Sequence, residues 1–169
     1  MITLRKFEKT DLLRIVELLN NPNVSQFTSD RIPYPYTESN AEKFLEIALT
    51  SNGAQLYAII LDGLLIGGVG IHPQELNLNR NVELGYWIGE EFWGNGYAYE
   101  AAKLAVTIAF KNHEIHKIMA RTMQGNIASE KILITLGFKL EGELKEHIFK
   151  RGKFLNEKYW GLLKSNYKT

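Results

Sequence analysis

The chain has 169 residues, a length that suits one domain with a sizeable core. Its 20 basic and 19 acidic residues leave a net charge of +1, which speaks against a general nucleic-acid surface, because such a surface needs clustered positive excess. Cysteine is absent, which removes disulfides, zinc–thiolate sites and a cysteine nucleophile.

No apolar run approaches the roughly 20 residues that span a bilayer. The segment Met1 to Lys9 lacks the apolar stretch of a secretory signal, so a cytoplasmic location is expected. Ile2, Leu4 and Phe7 alternate with polar neighbours and predict a first strand. Thr10 or Asp11 offers a cap, and Leu12, Leu13, Ile15, Val16, Leu18 and Leu19 form a helical stripe that ends at Asn20-Asn21-Pro22-Asn23. Val24 to Tyr36 has no clear period and reads as a loop or irregular helix. Thr37 to Asn40 is cap chemistry for a second helix, with Phe44, Leu45, Ala48 and Leu49 as its buried face. Gln55 to Leu61 and Leu65 to His72 read as strands joined by Asp62-Gly63, a strong hairpin signal. Gly67, Gly68 and Gly70 predict a bulge or a close backbone contact in the second of them.

Val82 to Gly89 is β-branched and aromatic, a buried strand. A turn with Gly94 and Gly96 follows, and then Tyr97 to Phe110, a helix with no Pro or Gly. Strand, glycine turn and helix together make a place for an anion, because first-turn N–H groups have no internal partner. Beyond it, Lys117 to Thr122 predicts a strand, and Asn126 caps a short helix over Ile127 to Leu136 that Gly137 ends. Phe138 to Lys145 and Phe154 to Leu163 predict two late strands with Arg151-Gly152-Lys153 between them. The order is that of an α+β domain with a mixed sheet, and nothing in it divides residues 1–169.

Two stretches carry a resemblance. Glu83-Leu84-Gly85-Tyr86-Trp87-Ile88 with Trp93-Gly94-Asn95-Gly96-Tyr97-Ala98 is similar to the acetyl-coenzyme A motif of the GNAT acetyltransferases. Asn126-x-x-Ser129 followed by Leu136-Gly137-Phe138 resembles their second motif, in the RimJ/RimL-like branch. The resemblance implies the GNAT fold, a mixed central sheet flanked by helices with a splayed central strand pair. It also implies acetyl-coenzyme A as cosubstrate and transfer to a primary amine by direct attack. The acceptor is then a protein N-terminal α-amine, a small amine or a polyamine.

On that reading the pyrophosphate sits on the N–H groups of Trp93, Gly94, Asn95, Gly96, Tyr97 and Ala98. The pantetheine meets the backbone of Tyr86, Trp87 and Ile88, together with Asn126. Glu91 stands where many family members carry Arg or Gln, and should point to water. Strand alternation puts Glu83, Gly85 and Trp87 on one face, where the Glu83 carboxylate or a water serves as base. Leu133 replaces the tyrosine acid of other members, which leaves the Ser129 hydroxyl or a water to serve the thiolate. Phe27, Tyr34, Tyr36 and Glu83 are the candidates for the acceptor cleft. At pH 7, freeing a lysine-type amine costs about 4.6 kcal/mol and an α-amine only about 1–1.4 kcal/mol, so a weak base suits the α-amine. No metal is expected, since His113 and His116 lack a third ligand at suitable spacing. A homodimer is compatible with a late edge strand. A coenzyme-sensing module without turnover is the alternative function.

Overall fold

The computed structural model describes residues 1–167. Strands β1 (Ile2–Lys6), β2 (Gln55–Leu61), β3 (Leu64–Pro73) and β4 (Asn81–Ile88) follow one another as antiparallel neighbours. Strand β5 (Lys117–Met123) then lies parallel to β4. Strands β6 (Lys139–Lys150) and β7 (Lys153–Leu163) complete a seven-stranded sheet of order β1-β2-β3-β4-β5-β7-β6. Helices α1 (Leu12–Leu19), α2 (Pro22–Ser25) and α3 (Glu38–Thr50) pack on one face, and α4 (Tyr97–Lys111) and α5 (Ile127–Thr135) on the other.

Period-2 alternation splits the strands between two cores. Ile59, Val69, Ile71, Val82, Leu84, Ile88, Ile118, Ala120, Trp160 and Leu162 face α4 and α5, while Leu56, Ala58, Ile60 and Leu65 face α1 and α3. The inward stripe of α4 is Ala101, Ala102, Ala105, Val106, Ala109 and Phe110. Four alanines let the helix lie close on the sheet, while Val106 and Phe110 each gain about 1.5–3 kcal/mol from burial.

The turns behave as their residues require. Asp62 and Gly63 have φ of 48° and 90°, which fits a tight hairpin. Asn126 caps α5 by accepting from Ser129 N at 3.2 Å. Thr37 and Asn40 form a reciprocal capping box at the start of α3. The glycines of β3 show both effects expected of them. The register steps from Ile59↔Gly67 to Ile60↔Leu65, which leaves Ile66 as the extra residue of a bulge. A Cβ on Gly67 would lie 2.3 Å from Trp87 O, so only glycine allows that approach.

Several details differ from the sequence reading. Segment 24–36 begins inside a short helix, with Pro22 in its first turn and Asn21 accepting from Asn23 N and Val24 N. Leu13 is 66% exposed: it lies about 160° around the helix from Ile15 at 100° per residue, away from the stripe. Leu49 falls in the last turn of α3 and is exposed, while Ala41 joins Leu45 in the core. Of the tryptophans, which are more often core than surface, Trp93 is 44% exposed, whereas Trp160 is in the core with its indole N–H on Thr122 Oγ1 at 2.9 Å.

One departure from regular pairing positions the site. Strands β4 and β5 pair only from Asn81↔Lys117 to Glu83↔Met119, and then separate. On the other side, β4 stays paired with β3 as far as Ile88↔Gly67. Asn81 O accepts from Gln74 N, and Gly89 N donates to Ile66 O, so the odd-numbered residues of β4 turn their peptide groups toward β3. The peptide groups of Leu84, Tyr86 and Ile88 therefore face the gap that opens beside β5. The splayed strand pair expected from the family resemblance is present.

Candidate active site

The gap leads to the turn before α4. Gly94 and Gly96 both have φ of 79°, in the left-handed region, and a Cβ at either would meet nothing within 4 Å. Gly96 is the N-cap of α4, and no side chain caps it. The first helical bond is Glu100 N to Gly96 O at 3.1 Å, so the N–H groups of Tyr97, Ala98 and Tyr99 have no acceptor within the helix. The turn itself is well anchored. The Trp93 indole N–H donates to Ile88 O at 2.8 Å, and Asn95 Nδ2 donates to the carbonyls of Phe92 and Trp93.

Two carboxylates precede the glycines and are held aside. Glu91 accepts from Arg14 at 2.6 Å, and Glu90 accepts from the Asn21 and Asn23 amides at 2.7 Å each. Glu91 is thus paired with a cation on α1 rather than simply facing water. Bare amides of one polarity and a positive helix end are a cradle for a diphosphate. An open strand edge two turns of chain away can pair with an amide-bearing arm. The residues present fit coenzyme A in both respects.

Asn126, Ser129 and Tyr86 come together on the α4–α5 side of the gap. The Tyr86 hydroxyl lies 2.7 Å from Ser129 Oγ, while Asn126 Oδ1 is engaged by Ser129 N. Burial pushes the Tyr86 hydroxyl up to about 12, against the opposing pull of its bond to Ser129, so it keeps its proton at neutral pH.

Glu83 lies on the opposite face of the sheet. Arg121 of β5 holds it with two hydrogen bonds, Nε to Oε1 at 2.9 Å and Nη2 to Oε2 at 3.1 Å. Burial acts against the charge of Arg121, but Glu83 and Glu157 outweigh it and raise the guanidinium further. Glu157 of β7 is only 6% exposed; Arg121 Nη1 lies 3.8 Å and His147 Nε2 3.6 Å from its carboxylate. His72 stands opposite Glu83 in the β3–β4 register. Burial lowers the His72 pKa, Glu83 opposes that shift and Arg31 reinforces it, so the imidazole is neutral at pH 7. Gly85 lies beside Glu83 with nothing within 4 Å of a built Cβ, which leaves open floor between these groups.

The gap opens between the two sets of side chains: Glu83, Arg121 and Glu157 lie toward one face of the sheet and Ser129 toward the other.

The aromatic candidates separate. Phe27 is half-buried against Gly125, in the turn after β5. Tyr34 is 49% exposed under the Arg151 guanidinium and lines a cavity of about 210 Å³ with Ser25, Asp30, Ile32 and Lys150. Tyr36 is 3% exposed and packs in the core with Ile15, Leu19 and Leu45, so it does not line the cleft.

Arg121, Glu157 and His72 escaped the sequence reading. The signal for Glu157 was available: Trp160 and Leu162 set the core face of β7, which turns odd-numbered residues to the other side. The pairing of Arg121 with Glu83 depends on which strands become neighbours, and no local pattern encodes that.

Comparison with known proteins agrees with this geometry. The family model described as an acetyltransferase (GNAT) domain matches residues 1–139. The chain belongs to the GNAT acetyltransferase family, and its fold is the GNAT fold. It is 28% identical to the spermidine N(1)-acetyltransferase of Escherichia coli (strain K12) over 162 residues, covering 92% of this chain and 82% of the relative. The [ribosomal protein uS5]-alanine N-acetyltransferase of the same organism is 37% identical over 71 residues, 42% of this chain and 37% of its own. The spermidine N-acetyltransferase of Vibrio cholerae, solved with CoA and spermine, superposes with a TM-score of 0.84 at 26% identity, over 98% of this chain and 97% of that one. No helix among the described residues is long and apolar enough to cross a membrane.

Proposed function

We propose that the protein transfers the acetyl group of acetyl-coenzyme A directly to a primary amine in the cytoplasm. The observation that carries this reading is the opening of β4 from β5 after Glu83, beside a helix whose start is left bare by Gly94 and Gly96. The amides from Gly94 to Ala98 hold the pyrophosphate; the Trp93 N–H, expected from the sequence to join them, is already spent on Glu90 O at 3.0 Å. The peptide groups of Leu84 and Tyr86 and the N–H of Ile88, with the Asn126 side-chain amide, hold the pantetheine; the Trp87 peptide group, expected from the sequence to share in this, is turned toward β3. Ser129 directs its hydroxyl to the sulfur.

The acceptor enters over Gly85. Glu83 and Glu157 offer carboxylate oxygens on this face to an incoming ammonium. Phe27 and Tyr34 flank the entrance. One proton must leave the amine before attack and one must reach the departing thiolate. Glu83 is engaged at both oxygens by Arg121, so it serves as a weak base, by way of a water. A weak base suits an α-amine, which needs only about 1–1.4 kcal/mol to lose its proton at pH 7. The favoured acceptor is therefore the N-terminal α-amine of a protein.

Thiol release from acetyl-coenzyme A over a panel of peptides, polyamines and amino acids tests the proposal. Release with free-amine peptides, lost when the same peptides are N-blocked, is the expected result. Coenzyme binding without release on any amine identifies a sensor module instead.

A further inference from the structure

We infer that the Tyr86 hydroxyl is a positioning group for the reaction: it donates to Ser129 Oγ and so aims the serine proton at the departing sulfur. The inference rests on the proposed placement of Ser129 at the thiolate and adds a residue that neither the family match nor the relatives assign.

The geometry is specific. Tyr86 stands on β4 past the last residue paired with β5, with its side chain on the α4–α5 face. Its oxygen is 2.7 Å from Ser129 Oγ and 3.5 Å from Ser129 O. Ser129 lies in the first turn of α5, which Asn126 Oδ1 fixes by accepting from Ser129 N. The serine hydroxyl is therefore placed from two directions, by its own helix cap and by a phenol from the sheet. A hydroxyl carries one proton, and two hydroxyls in contact share one hydrogen bond between them. If serine donates to tyrosine, its only proton is spent there. If tyrosine donates to serine, the serine proton is free for a third atom. Only the second arrangement serves a thiolate, and negative charge growing on sulfur favours it, because successive hydrogen bonds polarise one another.

Tyr86 does not itself surrender the proton. Its hydroxyl stands at about 12, whereas a thiol lies near about 8.5. Complete transfer from tyrosine to the thiolate would be unfavourable by roughly 3,000-fold at these values. The phenol orients and polarises, and Ser129, a weaker acid than the phenol, keeps its proton too: its hydroxyl donates a hydrogen bond to the departing thiolate, which takes its proton from solvent, as the proton lost by the amine passes to solvent.

A double-mutant cycle in the intact protein tests this. Tyr86→Phe keeps the ring and removes only the donor. One neutral hydrogen bond corresponds to roughly a 2- to 13-fold effect. Tyr86→Phe is expected to lower kcat within that range, with KM for acetyl-coenzyme A nearly unchanged. Ser129→Ala should lower kcat further, and the double variant should match Ser129→Ala alone, because the tyrosine acts only through the serine. Ser129→Thr, which retains a hydroxyl, should restore sensitivity to Tyr86→Phe. If the two losses multiply, or if Tyr86→Phe leaves kcat intact while Ser129→Ala lowers it, the inference about Tyr86 is overturned and the role of Ser129 stands. If Ser129→Ala leaves kcat unchanged, the underlying placement of Ser129 fails, and this inference with it.

Discussion

Replacing Gly96 by alanine separates the needs of the protein from those of its ligand. The residue has φ of 79°, and a built Cβ meets no atom within 4 Å. The folded protein therefore pays only for backbone conformation, about 1–2 kcal/mol for an alanine in the left-handed region. Reduced freedom of the unfolded chain returns about 0.4–1 kcal/mol. The net loss is at most about 1.5 kcal/mol, which for a chain of this size lowers Tm by roughly 3–6 °C. Coenzyme binding should respond differently. The methyl group enters the space where a diphosphate must approach the amides of Tyr97 and Ala98. Loss of a single charge-assisted hydrogen bond, about 1.5–3 kcal/mol, weakens binding roughly 10- to 150-fold. Thermal melts without ligand and calorimetry with coenzyme A measure the two effects independently. A melt shifted as stated with an unchanged Kd would refute the placement of the diphosphate at this helix start.

Further outcomes follow from the same geometry. Glu157→Gln should raise KM for the amine several-fold and leave coenzyme A affinity within about twofold, since Glu157 lies on the proposed acceptor face; calorimetry and initial rates distinguish the two, and an unchanged KM would remove Glu157 from the cleft. Burial pushes the Tyr36 hydroxyl up from 10.0 to about 12, so its contribution to stability is intact below pH 10 and is lost as pH rises toward 12. Tyr36→Phe should flatten that alkaline limb in urea titrations, and an unaltered limb would contradict the assignment. Leu133 is 1% exposed beneath α5, so Leu133→Ala should cost about 2–5 kcal/mol in urea unfolding, while a loss below 1 kcal/mol would mean that the site collapses around the deletion.

Much of the fold was legible because its signals are local. Asp62-Gly63 demands a hairpin, Asn126 demands a helix start, and the alanine stripe of α4 demands close contact with a sheet. The bare helix start was legible for the same reason: Gly94, Gly96 and the helix behind them are contiguous in sequence. The charged cluster on the other face was not. Glu83, Arg121 and Glu157 come from three strands, brought side by side only by the parallel crossover between β4 and β5 and the return of β7. Tyr36 was misplaced because an aromatic residue just after Pro33 and Pro35 lies in a stretch with no period to show which way it points. The hydroxyl contact between Tyr86 and Ser129 spans 43 residues, and nothing in either motif alone announces it.

Single turnover gives the most direct test of the central claim. The protein, with acetyl-coenzyme A in equimolar amount and a free-amine peptide, is quenched over time and examined by mass spectrometry. The account predicts that the acetyl group moves from sulfur to the peptide α-nitrogen, with no acetylated protein at any time point. An acetyl group that accumulates on the protein first, or coenzyme that stays bound and intact beside the peptide, would contradict it.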